Sequence, residues 1–141
     1  MKTNLTAQVS IDFRAPKARV WKALTDPTDI KQYFFGTNLV TEWIVGGPIR
    51  FVGEWEGKSY EDKGTVLKFD PQKMLQYDYW SSLSGKEDKQ ENYQMITYRM
   101  TEKDGITNVQ IFQDGETEEA REHSEQSWKM VLEGIRNLVE K

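Results

Sequence analysis

Apolar residues return at about every second position across the middle of the chain, from 39 to 113, and then at every third or fourth position from 117 to 141. A sustained period of two signals a run of antiparallel strands rather than alternating β and α units. The closing period is that of one amphipathic helix, whose stripe of Trp128, Val131, Leu132, Ile135, Leu138 and Val139 must be covered. Its acidic first turns, 116–125, suit the positive end of the helix dipole, and Arg136 and Lys141 lie toward the other end. The order of periods predicts an α+β protein in which a curved antiparallel sheet of about six to seven strands wraps around a long C-terminal helix.

The segments can be placed individually. Residues 5–13 alternate Leu5, Ala7, Val9, Ile11 and Phe13 against polar neighbours, as a half-buried strand does. Pro16 favours a helix start, and Val20, Trp21 and Leu24 at helical spacing predict a short helix over 17–24. Asp26 and Pro27 open a second over 28–35, with Ile30, Tyr33 and Phe34 on one face and Gly36 as its stop. Strands are then expected at 48–56, 60–69, 74–80, 94–102 and 107–113, with a weaker one at 39–44. Segment 81–92 holds a single large apolar residue and reads as a mobile surface loop.

A length of 141 residues suits one domain spanning 1–141, and 37% hydrophobic against 30% charged residues suits a packed globule. With no cysteine, disulfides, thiolate metal sites and cysteine nucleophiles are excluded. A net charge of -4 and a pI near 5.1, with Lys and Arg interleaved among acids, argue against nucleic acid and anionic membrane as partners. The N-terminus has no apolar stretch of signal-peptide length and no run could span a bilayer, so a cytoplasmic location is expected.

Particular strings carry a family resemblance. Ile11-Asp12-Phe13-Arg14-Ala15-Pro16, followed by Val20-Trp21-Lys22-Ala23-Leu24-Thr25-Asp26-Pro27, resembles the opening motif of the family named for homology to the activator of the heat-shock-protein-90 ATPase. Gly46-Gly47-Pro48-Ile49-Arg50-Phe51 is similar to its double-glycine turn into a strand. Gly64-Thr65-Val66-Leu67, Asp70-Pro71 and Leu75-Gln76-Tyr77 resemble its central hairpin, and 128–138 its closing helix. The resemblance spans nearly the whole chain and implies the helix-grip fold of the START-like (SRPBCC) superfamily. It implies binding of a small apolar or aromatic molecule, as superfamily members bind lipids, polyketides and hormones. It also suggests two alternatives. One is a co-chaperone role on a heat-shock chaperone in the stress response, although the chain matches only the C-terminal-type domain of the namesake. The other is a cyclase- or hydrolase-like reaction using a cavity Tyr, Glu or Asp, with Tyr77, Tyr98 and Glu54 as candidates.

Catalytic and metal chemistry find little support in the residues. His123 is the only histidine, and Glu122 beside it cannot face it on a helix, so His123 reads as a helix-surface residue rather than a general base. One histidine is too few for a zinc site; Glu61 with Asp62, or 114–119, could offer a hard cation carboxylates alone, but solvated acidic loops explain both more simply. The opposite charges of 60–64 could set a carboxylate and an ammonium at the cavity mouth, with exposed strand-end charges the slightly favoured reading. No cofactor is expected, and a monomer or weak homodimer is. The best functional feature is aromatic: Tyr33, Phe35, Trp43, Phe51, Trp55, Tyr77, Tyr79, Tyr98 and Trp128, with Leu132, are expected to contribute to a cavity between helix and sheet, at least half of the rings serving as core. Gly53, between Phe51 and Trp55, is expected to leave space on the inward face.

Overall fold

The computed structural model describes residues 6–34, 36–82, 85–115 and 117–140, with the backbone alone described at Trp55. The expectations for Phe35 and for the Trp55 side chain therefore lie outside the described residues. In chain order the elements are β1 (Ala7–Phe13), α1 (Lys17–Thr25), α2 (Pro27–Tyr33), β2 (Asn38–Thr41), β3 (Pro48–Trp55), β4 (Lys58–Asp70), β5 (Met74–Tyr79), β6 (Gln94–Lys103), β7 (Ile106–Gln113) and α3 (Glu118–Val139). The strands form one seven-stranded sheet in the order β1-β7-β6-β5-β4-β3-β2, antiparallel throughout. With α3 against its concave side, this is the helix-grip fold.

Local chemistry sets the helix ends. Asp26 caps α2, its carboxylate accepting the Thr28 and Asp29 N–H groups at 2.8 and 3.3 Å, while Pro27 at the first helical position has no N–H to satisfy. Thr117 caps α3 in the same way through Ala120 N–H at 3.0 Å. The α1–α2 corner is tied by Asp29, a buried carboxylate that accepts from Arg19 and Lys22 at 2.9 and 3.1 Å.

The sheet curves because β4 bends. Its first part pairs with β3 and its last with β5, with a register shift between Val66 and Lys68. A Cβ at Gly64 would lie 1.7 Å from the Asp78 carbonyl oxygen, so the close approach of β4 to β5 there admits only glycine. Inside the curve, Phe13, Ile49, Leu75, Ile111, Leu132 and Ile135 are fully buried and join the sheet to the lower half of α3.

One strand differs from its sequence pattern. The weak strand expected at 39–44 ends at Thr41, because Trp43 takes a left-handed φ of 54° and breaks the pleat. Its indole turns inward, donating to Thr25 O at 2.9 Å and stacking on Phe69 at 5.3 Å, and Ile44 and Val45 are left exposed. Residues 85–92 are largely exposed and hydrogen-bonded to their surroundings. Trp80 Nε1–H donates to Lys86 O, Tyr93 O–H donates to Asp88, Lys63 pairs with Asp88, and Gln90–Asn92 forms a turn of 3-10 helix.

A candidate ligand cavity between sheet and helix

The stripe of α3 is bulky only in its second half. From Trp128 onward it carries Val131, Leu132, Ile135 and Val139, all buried, whereas one and two turns earlier the same face carries Ser127, Ser124 and Ala120. Small side chains cannot reach the sheet that large ones reach. The curve of the sheet therefore stays unfilled beneath the first half of the helix, and a cavity of about 590 Å³ remains.

Its walls follow from strand register. Tyr77 on β5 faces Ile96 on β6, which faces Gln113 on β7, and one step along, Tyr79 faces Gln94. These side chains line the cavity together with Phe51 of β3, and Ala120, Ser124, Ser127, Trp128 and Val131 close it from α3. Phe34, just after α2, covers the flank, stacked on Phe51 at 6.1 Å and edge-on to Trp128 at 6.4 Å. His123 lies exposed at the rim. A smaller pocket of about 120 Å³, between Trp80, Tyr93 and Lys86, shares Tyr79, Ser81 and Gln94 with the cavity wall.

The polar groups of the wall are held in two networks. In the first, Trp128 Nε1–H donates to Gln113 Oε1 at 2.7 Å, Gln113 Nε2–H to Gln94 Oε1 at 2.7 Å, and Gln94 Nε2–H to Asp114 O at 2.8 Å. In the second, Tyr79 O–H donates to Asp62 Oδ2 at 2.5 Å, and Ser82 N–H donates to Asp62 Oδ1 at 3.2 Å. Burial, then the Asp62 charge and hydrogen bond, push the Tyr79 hydroxyl pKa well up, and a hydrogen bond from Ser81 works against that rise. Tyr77 and Tyr98 share a bond at 3.2 Å, and burial raises both their pKa values strongly.

Of the sequence candidates, Phe51, Tyr77, Tyr79 and Trp128 line the cavity. Tyr33, Trp43 and Tyr98 instead surround a residual void of about 10 Å³ beneath it and act as core, and Leu132 packs in the core at 2% exposure. Gly53 leaves no space, because the Tyr60 hydroxyl lies 2.5 Å from where a Cβ would stand and bonds to Thr37 Oγ1 at 2.5 Å. Asp62, expected as a solvated strand-end charge, is 8% exposed, since it sits across from Phe51 on the inward face of β4. Phe34, Ile96, Val131, Gln94, Gln113 and the α3 serines enter the site unannounced. The small residues at 120, 124 and 127, in helical register with the apolar stripe, were the signal that marks them.

Among the described residues no group of three or more His, Cys, Asp or Glu side chains is placed to hold a metal ion. No helix of the described residues is long and apolar enough to cross a membrane.

Comparison with known proteins gives a consistent picture. The model of the family described as Activator of Hsp90 ATPase homolog 1-like protein matches residues 14–140. The solution structure of ChR145 from Cytophaga hutchinsonii is similar at 44% identity and a TM-score of 0.86, over 99% of this chain and 97% of that one. The crystal structure of CV1439 from Chromobacterium violaceum is similar at 19% identity and a TM-score of 0.79, over 99% of each chain. That of CalU16 from Micromonospora echinospora shares 18% identity with a TM-score of 0.75, over 99% of this chain and 81% of that one. The last two likenesses concern the fold alone. No match was found among curated proteins.

Proposed function

The chain belongs to the family of Activator of Hsp90 ATPase homolog 1-like proteins, with the START-like helix-grip fold, and on that premise we propose that it binds a small apolar or aromatic molecule between α3 and the sheet. The observation that carries this reading is the cavity itself: about 590 Å³, walled by Phe34, Phe51, Tyr77, Tyr79 and Trp128, and kept open by small residues on α3. That volume is in the range of small-molecule sites, and rings with a few fixed polar groups are the usual lining of such sites. Any tyrosine hydroxyl is protonated near neutrality, and the upward pKa shifts that burial gives Tyr77 and Tyr79 take them further still from general-base chemistry.

Calorimetric titration with fluorene, a rigid tricyclic hydrocarbon, tests the reading. One molecule binds per chain with a negative heat-capacity change, the mark of apolar burial. The variant Ser127→Phe, which grows a ring from α3 into the space, keeps its helix content and loses fluorene binding by at least about tenfold. Equal binding by that variant, or none by the parent, contradicts the proposal.

A further inference from the structure

The second polar network has a direction, and the direction selects a ligand. A carboxylate only accepts hydrogen bonds, so the proton of the Tyr79 hydroxyl is committed to Asp62 Oδ2. The Tyr79 oxygen is then left to accept, and Tyr79 lines the cavity, so this wall presents an acceptor.

The neighbouring network has the opposite sense. The Trp128 indole has only a donor, which fixes the Gln113 amide with its oxygen toward the indole, and the Asp114 carbonyl, which only accepts, fixes the Gln94 amide. Each amide keeps a second N–H. Gln94 stands directly across the β5–β6 pair from Tyr79, so an acceptor and a donor lie side by side on one wall.

Resting on the cavity-binding reading above, we propose that the ligand is a planar apolar molecule carrying a hydroxyl or N–H beside a carbonyl-type oxygen, the former accepted by the Tyr79 oxygen, the latter bound by Gln94 and Gln113. Asp62 is the positioning residue that sets the polarity of the first contact through Tyr79, without lining the cavity.

Three tricyclics of nearly one shape isolate that polarity: carbazole carries an N–H, fluorene a CH2 and fluorenone a C=O at the same edge. Affinity ratios to fluorene are the readout, which removes any general change in the cavity. The parent protein binds carbazole roughly fivefold more tightly than fluorene. In Asp62→Asn, Ser82 N–H still needs an acceptor and holds the amide oxygen, so the amide N–H turns to Tyr79. The Tyr79 oxygen then accepts from the amide, and its own O–H is released to donate into the cavity. The carbazole ratio falls to about one and the fluorenone ratio rises several-fold. Tyr79→Phe, which removes the acceptor itself, also erases the carbazole preference and serves if Asp62→Asn fails to fold. A purely structural role for Asp62 would shift all three affinities together. If fluorene binds but carbazole shows no preference, or if a preference survives both substitutions, the polarity inference is overturned and the cavity reading stands. If none of the three binds the parent protein, both are overturned.

Discussion

Tyr33, Tyr77, Tyr79 and Tyr98 keep their hydroxyl ends inside the protein, each bonded to a carbonyl, a carboxylate or another tyrosine, and burial is the first cause of the rise in all four pKa values. In the unfolded chain these groups ionise near the ordinary value of about 10. The folded chain holds their protons to higher pH, so between the two values the unfolded state binds fewer protons. Stability owed to them is complete below about pH 10 and is lost as pH rises above it. Tyrosinate absorbance should therefore appear for these four only together with loss of the near-ultraviolet circular dichroism signal. Full tyrosinate absorbance with that signal intact would show that the hydroxyls are open to solvent. Residue identity announced the aromatic content of the inward face, but not which rings would border space. Tyr98 packs edge-on against Trp128 at 5.7 Å and is sealed beneath it, and Tyr60 folds over Gly53 where a gap was expected. Both outcomes depend on contacts between strands and helix, which a period cannot encode.

Among the elements, α3 has two roles divided at Trp128: its second half fills the sheet and its first half spans the cavity. It also covers an edge. Among the described residues no strand lies beside the outer edge of β1, and there Gln8 N–H donates to Glu125 Oε2 at 3.1 Å while Arg14 N–H, just past the strand, donates to Glu140 Oε2 at 3.0 Å. Arg136 returns a bond to Asp12 O at 3.2 Å. Covering an edge in this way blunts its tendency to pair with another chain. Replacing Glu125 and Glu140 by Ala should speed amide exchange at Gln8 and Arg14 while leaving Val9 and Ile11 protected within the β1–β7 ladder. Uniform exchange along β1 in the variant would show that the carboxylates do not hold the edge. The helices and most strands were legible from period and caps, within a residue or two at their ends. The end of β2 was not, because the left-handed backbone at Trp43 interrupts an alternation that the side chains alone would continue.

For the whole molecule, the order of two periods was enough to specify a sheet gripping a helix, and the strings around Pro16, Gly47 and Gly64 were enough to point to the family. The cavity was legible as an expectation of space, with Phe51, Tyr77, Tyr79 and Trp128 on its wall and Tyr33, Trp43 and Tyr98 in the core. Ring content marks what bounds the cavity, whereas its position is set by Ala120, Ser124 and Ser127, where α3 is too thin to touch the sheet. A binding site defined by missing bulk asks for a direct measurement on the residue where bulk ends. Titration of fluorene into isotopically labelled protein, followed through the tryptophan indole N–H signals, supplies it. The account predicts that the Trp128 signal moves and saturates, while those of Trp21, packed on Phe69, and Trp43, stacked on Phe69, stay in place. A Trp128 signal that does not respond, or equal shifts at all three, would contradict binding in the cavity.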